Sequence, residues 1–195
     1  MSQEKEKVQV ETRAELRGWL AQNHPRQGGV WLVTFKKHCG DKYVSYDDIV
    51  EELICFGWID SMTRKLDADR SMLWIAPRKR GSNWSRRNKE IVARLEATGL
   101  LAPPGLAKIE AAKADGTWDA LNAVENLEIP PDLAEALAQY PDAAAYFEAF
   151  PRSVKRGILE WIFNAKRPQT RAKRIEETAR LAQDNLRANQ WPRQG

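Results

Sequence analysis

The chain of 195 residues carries 31 Lys and Arg against 27 Asp and Glu, which gives a formal net charge of +4 at neutral pH. A chain of this length buries roughly 70% of its unfolded surface, which excludes dependence on disulfides or metal for folding. No apolar run approaches the ~20 residues of a membrane-spanning helix, which excludes a helical membrane protein. The first seven residues are polar and mixed in charge, so we expect no export signal and a cytoplasmic location.

Cysteine and histidine are scarce. The chain has two of each: Cys39, Cys55, His24 and His38. Their spacings match no common zinc pattern, and the two cysteines do not form a Cys-x-x-Cys pair. We therefore expect two free thiols that are not bridged, no metal and no cofactor.

The first predicted elements alternate between helix and strand. An amphipathic helix begins at Thr12 and runs to about Gln22, and a strand follows over Val30–Lys37. Both faces of that strand are apolar, which is typical of a position near the centre of a sheet. Neighbouring side chains of a strand point to opposite faces, so a catalytic pair of His38 and Cys39 beyond its end is not expected. A helix capped by Ser45 then reaches about Phe56.

Two strands follow, over residues 58–66 and 71–77, joined by a short polar turn. Strict alternation along the first of them places Asp60 and Arg64 on the same face. Ser85 then caps a helix that reaches Ala97, and the clearest break in the chain comes at Ala102-Pro103-Pro104-Gly105. Beyond it, short helices begin after Pro131, Pro141, Pro151 and Pro168, because proline is tolerated in a first helical turn.

These elements predict an α+β fold: a small, mostly antiparallel sheet of about three strands packed with helices, followed by a helical C-terminal half. The break at residues 102–105 divides the chain into an α+β domain over 1–101 and a helical region over 102–195. We expect the two to pack as one compact unit.

The densest group of functional residues lies between residues 56 and 94, where tryptophans, an acid, hydroxyls and cations occur together. The hairpin and the helix N-terminus after it favour an anion-binding surface, because free N–H groups and the helix dipole attract negative charge. The candidate ligand-binding residues are Trp58, Asp60, Arg64, Arg78, Ser82, Trp84, Ser85 and Asn88. In the structural alternative, Ser85 only caps the helix, Trp84 fills the core and the cations are solvated.

Charge is strongly segregated along the chain. Two basic segments, 78–89 and 166–174, flank an acidic segment over 115–148 that has eight acids and no Lys or Arg. The basic residues beyond the candidate site are Lys79, Arg80, Arg86, Arg87, Lys89, Lys166, Arg167, Arg171 and Arg174. Such segregation indicates that the basic segments have an anionic partner, which is either an external anion or the acidic segment of the same chain.

Several motifs carry a resemblance to a known family. They are Phe56-Gly57-Trp58-Ile59-Asp60, Pro77-Arg78, Ser82-Asn83-Trp84-Ser85 with Asn88, Gly105-Leu106-Ala107, Ala112–Trp118 and, near the end, Ala165-Lys166-Arg167-Pro168 with Thr170-Arg171 and Arg174-Ile175-Glu176. Over roughly residues 10–187 they resemble the YdeI/OmpD-associated, or bacteriocin-protection, proteins of bacteria. The resemblance implies a role in resistance to cationic peptides and an association with porins, and it implies no chemistry.

Three classes of function remain open. The resemblance favours a non-enzymatic binding or stress-protection protein, whose partner is an unknown protein or a small anionic ligand. The basic segments 78–89 and 166–174 would suit a nucleic-acid-binding protein, although no recognised DNA- or RNA-binding motif is present. An enzyme acting on a small anionic substrate would need a pocket under Trp58 and Trp84. The chain has no Gly-x-Ser-x-Gly, His-Glu-x-x-His or phosphate-binding glycine motif, so we name no catalytic residue.

Overall fold

The structure is a computed structural model that describes residues 5–190. Contacts within the chain group it into two units, residues 1–120 and residues 121–195. The predicted α+β class, with a helical C-terminal half, is confirmed. Within residues 5–190, no helix is long and apolar enough to cross a membrane. Residues 1–4, which belong to the polar segment behind the expectation of a cytoplasmic location, lie outside the described range.

The first unit contains a four-stranded sheet in the order β1-β2-β4-β3. The strands are β1 (Lys7–Gln9), β2 (Val30–Phe35), β3 (Trp58–Lys65) and β4 (Arg70–Pro77). Strand β1 is parallel to β2, and the other two pairs are antiparallel. The expected count of three strands misses β1, because three residues with mostly exposed side chains carry no alternating apolar pattern.

The described α-helices of this unit are α1 (Arg13–Asn23), α2 (Tyr46–Cys55), α3 (Arg86–Ala97) and α4 (Pro103–Asp115). The side chains of Thr12, Ser45 and Ser85 each accept a hydrogen bond from a backbone N–H three residues on, as N-caps do. The helices bury apolar side chains against the sheet in one core. Its fully buried members include Leu16, Leu20, Val30, Leu32, Leu53, Ile75 and Ile109.

Helix α4 belongs to this first core. Gly105 lies against α2 so closely that an added Cβ would stand 2.2 Å from the backbone oxygen of Cys55. Ile109 and Ala112 of α4 are buried in the same core. Helix α4 is therefore grouped with the first unit, whose contacts extend to residue 120.

Strand β2 ends at Phe35, so the prediction that it extends to Lys37 is wrong. A 3₁₀ helix over Lys37–Lys42 follows instead, kinked at Gly40, where φ is +60°. Lys36 still donates its backbone N–H to Asp69 O at 2.7 Å, beyond the last pair of the ladder, Phe35 with Arg70. The chain then turns, and Cys39 donates its backbone N–H to Lys36 O at 2.9 Å. His38 and Cys39 thus lie in a helical turn and not beside a strand.

A β-bulge interrupts β3. Asp60 pairs with Ile75 and Thr63 pairs with Leu73, so three steps along β3 match two along β4. The extra residue moves Arg64 to the face opposite Asp60. The prediction that Asp60 and Arg64 share a face is therefore wrong, because it assumed strict alternation. Arg64 lies over the Trp31 ring, 5.0 Å from its centroid.

Helices are the only regular elements among the described residues of the second unit. Its helices are α5 (Asn122–Glu125), α6 (Pro131–Leu137), α7 (Ala143–Ala149), α8 (Arg152–Phe163) and α9 (Pro168–Gln183). Pro131 and Pro168 begin α6 and α9, as their sequence positions predict. A separate core lies among these helices, with Leu133, Phe147, Ile158 and Ala179 fully buried.

Candidate functional site

The predicted site divides into a buried half and an exposed half. Trp58, Trp84 and Arg78 are buried, with 0%, 1% and 3% of their surfaces exposed. We expected one partly exposed surface lined by Trp58, Asp60, Arg78, Ser82, Trp84 and Asn88, and for the three buried side chains this expectation is wrong. Trp58 Nε1 donates to His24 O at 3.3 Å, and the ring packs edge-on against Trp19. Trp58 is therefore part of the packed interior of the fold.

Arg78 is the unusual member of the buried half. Its guanidinium carbon lies 3.8 Å from the centroid of the Trp84 ring, and Nη1 donates to Asn83 O at 2.9 Å. The buried Nε has no hydrogen-bond partner, and among residues 5–190 the side chain forms no ion pair. Burial lowers the pKa of Arg78 to about 10, while the charge of Asp60 acts in the opposite direction.

Asp60 is partly exposed and reaches a second element. Tyr46, the first residue of α2, donates its hydroxyl to Asp60 Oδ2 at 2.8 Å. Burial of the phenol, and then its hydrogen bond to Asp60, raise the pKa of Tyr46 to about 12. Arg87 lies over the Tyr46 ring and bonds to Asp47. Sequence reasoning missed Tyr46 and Asp47, although both come directly after the Ser45 cap that was recognised.

The exposed half is the loop between Arg78 and α3. Lys79, Arg80 and Gly81 are exposed, and Gly81 has φ +78° with open space around its Cα. Ser82 is half-buried, and its N–H donates to Lys79 O. At the helix start, Ser85 Oγ accepts from the Asn88 N–H at 3.3 Å. The first turn of α3 contains no acid, so the positive end of the helix dipole is not offset there.

Several cations of the 78–89 segment bond to acids of their own unit. Arg80 lies 3.4 Å from Asp115 and Lys89 lies 3.0 Å from Asp119. These two acids belong to the acidic segment 115–148. The basic segment 78–89 therefore pairs in part with the acidic segment of the same chain, which is one of the two kinds of partner that the charge segregation left open.

The second basic segment shows the same behaviour within the second unit. Arg171 makes a two-pronged contact with Asp132, at 2.6 and 2.8 Å. Arg174 bonds to Trp161 O and lies over the Trp161 ring. Lys166 and Arg167 remain exposed at the start of α9. Arg171 and Arg174, two of the cations expected to meet a polyanion, thus contact the protein itself.

A cluster that sequence reasoning missed lies at the other end of the hairpin. The 3₁₀ helix carries His38 and Cys39, and the turn between β3 and β4 carries Asp69. His38 Nε2 lies 3.0 Å from Asp69 Oδ1, and the ligand atoms of all three side chains lie within 4.8 Å of one another. Spacing along the sequence could not find this cluster, because Asp69 is brought to the histidine by the hairpin.

A cleft of about 300 Å³ lies between the sheet and the start of α2. Tyr46 and Ile49 form one wall, and Leu73 and Thr63 of the sheet form another. Trp58 and Trp84 do not line it, so it is not the pocket that the enzyme alternative required. Its lining is mostly apolar and contains no pair of acids that could work as acid and base.

Two family models match the chain. The model described as a domain of unknown function (DUF8412) matches residues 8–108. The model described as bacteriocin-protection, YdeI or OmpD-associated matches residues 126–185, which confirms the resemblance predicted from the sequence motifs. The motifs at 56–60 and 77–88 fall within the range of the first model. No curated protein and no solved structure matches the chain.

Proposed function

The chain belongs to the family described as a domain of unknown function (DUF8412), and on that premise we propose that it is a non-enzymatic binding protein that holds a small anion at Arg78. The anion is an oxyanion such as phosphate or sulfate, which matches a guanidinium in geometry and charge. The bacteriocin-protection description of the model that matches residues 126–185 supports a protective role for this binding.

The observation that carries the proposal is the incomplete environment of Arg78. Buried charges in proteins are normally paired, because removing a charge from water is expensive unless an opposite charge and hydrogen bonds replace the solvent. Arg78 is 3% exposed, its Nε has no partner, and its hydrogen bond goes to a neutral carbonyl. An unsatisfied buried group of this kind is explained by strain, by function or by an unseen ion. An oxyanion supplies both the missing charge and the missing acceptor.

The loop that follows Arg78 offers groups that suit an anion. Ser82 offers a hydroxyl, Lys79 a second cation, and the start of α3 a dipole whose first turn contains no acid. Asp60 approaches Arg78 from β3 and repels an anion, so the anion binds away from it. The loop must shift to admit the anion, and Gly81 with its surrounding open space permits that shift.

Thermal unfolding of the full chain in rising sodium phosphate tests the proposal. A ligand that binds only the folded state raises the free energy of unfolding in proportion to ln(1 + [L]/Kd), so the Tm should rise by a few degrees. Arg78→Met keeps the side-chain volume and removes the charge. We expect this variant to fold and to lose the phosphate-dependent rise.

The matched control is Arg94→Met. Arg94 is exposed, lies near the C-terminal end of α3 and is paired with Glu51. The Arg94→Met protein should keep the full phosphate-dependent rise in Tm. Sodium chloride at equal ionic strength separates specific binding from general screening. An equal rise in the Arg78→Met protein, or an equal rise with chloride, would refute an anion site at Arg78.

A further inference from the structure

We propose that His38, Cys39 and Asp69 form a zinc-binding site. The three residues come from two segments, the 3₁₀ helix over Lys37–Lys42 and the turn between β3 and β4. Their ligand atoms lie within 4.8 Å of one another, and His38 Nε2 stands 3.0 Å from Asp69 Oδ1. The inference is independent of the anion site, since none of its residues takes part there.

The backbone around the cluster is already fixed. Lys36 donates its backbone N–H to Asp69 O at 2.7 Å, and its ammonium bonds to Asp67 O and Ala68 O at 2.8 and 2.7 Å. Cys39 donates its N–H to Lys36 O at 2.9 Å. These bonds tie the turn to the start of the 3₁₀ helix, so the segments that carry the ligands are held together before any metal arrives. Preorganisation of this kind reduces the loss of entropy on binding.

The donor set indicates zinc. An imidazole nitrogen, a thiolate and a carboxylate are the ligands that zinc takes in proteins, whereas magnesium and calcium prefer oxygen alone. Metal–ligand bonds of about 2.0–2.3 Å at tetrahedral angles place ligand atoms about 3.3–3.6 Å apart. One observed separation is 3.0 Å and none exceeds 4.8 Å, so small side-chain movements complete the geometry. Three protein ligands leave the fourth position to water.

Zinc binding at this site releases one proton. The Cys39 thiol releases its proton to solvent as the sulfur–zinc bond forms. Neutral His38 gives the lone pair of Nε2, and the Asp69 carboxylate exchanges its contact with the imidazole for the metal. A thiolate and a carboxylate then neutralise the two positive charges of zinc. This balance allows the site to form although Lys36 and Lys37 are close in sequence.

Cobalt is the probe for the test, because Co²⁺ takes zinc ligands and absorbs light. The reduced, full-length chain without a histidine tag is titrated with CoCl₂. We expect one equivalent to produce a thiolate-to-cobalt charge-transfer band and the visible bands of a tetrahedral site, and zinc to remove both. The chain offers matched variants: Cys39→Ser and His38→Ala remove ligands, whereas Cys55→Ala and His24→Ala remove the other cysteine and the other histidine.

Cys39→Ser and His38→Ala should lose more cobalt affinity than the roughly 10–100-fold that loss of a residue outside the ligand set costs, and the matched variants should keep their affinity. Asp69→Asn should weaken binding while keeping the charge-transfer band. Circular dichroism confirms that each variant is folded. The site is refuted if no charge-transfer band forms, or if the band survives Cys39→Ser and disappears with Cys55→Ala. It is also refuted if His38→Ala binds cobalt as tightly as the unmodified chain.

Discussion

The guanidinium carbon of Arg78 lies 3.8 Å from the centroid of the Trp84 ring, and both side chains are buried. Trp84 also packs against Trp118, with ring centroids 5.1 Å apart. A desolvated cation–π contact is worth about 2 kcal/mol, which offsets only part of the cost of burying an arginine without a carboxylate. The indole therefore covers a charge that the rest of the fold leaves incompletely satisfied.

Replacing Trp84 with alanine should remove that cover. We expect Trp84→Ala to lower the free energy of unfolding of the first unit by about 3–5 kcal/mol, as for other buried aromatic rings. Water should then reach Arg78 and raise its pKa back towards the ordinary value. Urea unfolding followed by tryptophan fluorescence measures the loss. Trp74→Ala is the control, because Trp74 is only half-buried on the sheet, and it should lose clearly less.

The fold was predictable where its determinants are local. Ser45 and Ser85 cap their helices through a backbone N–H three residues on. Pro131 and Pro168 begin helices because the proline ring fixes a φ that suits the first helical position. What failed depends on distant partners. The bulge in β3 is defined by pairing with β4, so alternation alone placed Arg64 on the wrong face.

Asp60→Asn tests the contact between Asp60 and Tyr46. Burial and then the Asp60 hydrogen bond raise the pKa of Tyr46 to about 12, and the substitution removes the carboxylate charge. We therefore expect the phenol to ionise at a lower pH in Asp60→Asn. Ultraviolet titration measures this, and subtraction of the Tyr46→Phe spectrum isolates Tyr46 among the four tyrosines. An unchanged titration would mean that the carboxylate does not act on the phenol.

The same pKa predicts a dependence of stability on pH. A tyrosine whose pKa is raised in the folded state binds its proton more tightly there, so its stabilising effect is complete below the unfolded pKa of about 10. The effect is lost as pH rises towards the folded value of about 12. The difference in stability between the unmodified chain and Tyr46→Phe should therefore fall over this range. A difference that stays constant would contradict the raised pKa.

Gly105 and Gly18 are predicted to respond oppositely to alanine. A Cβ at Gly105 would stand 2.2 Å from Cys55 O, whereas a Cβ at Gly18 in α1 meets nothing within 4 Å. We expect Gly105→Ala to destabilise the first unit by about 1–3 kcal/mol, because α4 must move away from α2. Gly18→Ala should stabilise it by about 0.5–1 kcal/mol through helix propensity. Chemical denaturation measures both changes. If Gly105→Ala and Gly18→Ala changed the free energy of unfolding equally, α4 would not pack closely on α2.

The candidate sites were less predictable than the fold. Arg78, Ser82 and Trp84 stand out in the sequence, but a sequence does not tell which of them is buried. The sequence argued against a catalytic pair of His38 and Cys39 because a strand was predicted to run to Lys37, and against a metal because the Cys and His spacings match no zinc pattern; the structure has a 3₁₀ helix there instead. Asp69 lies beside His38 and Cys39 only because the hairpin folds back, and no local sequence pattern predicts a contact of this kind.

The two cysteines should differ sharply in reactivity. Both are free, Cys39 partly exposed and Cys55 fully buried. Burial, and next the charge of Glu52, raise the pKa of Cys55, so less reactive thiolate is present at neutral pH. In the native protein, Ellman's reagent should titrate one thiol quickly and the second only as the first unit opens.

The Cys39→Ser variant should show the slow thiol alone, and urea should release two thiols from the unmodified, unreduced chain. Two fast thiols would show that Cys55 is accessible. No free thiol, together with a mass lower by two hydrogens, would show a disulfide and overturn the assignment of Cys39 and Cys55 as free cysteines.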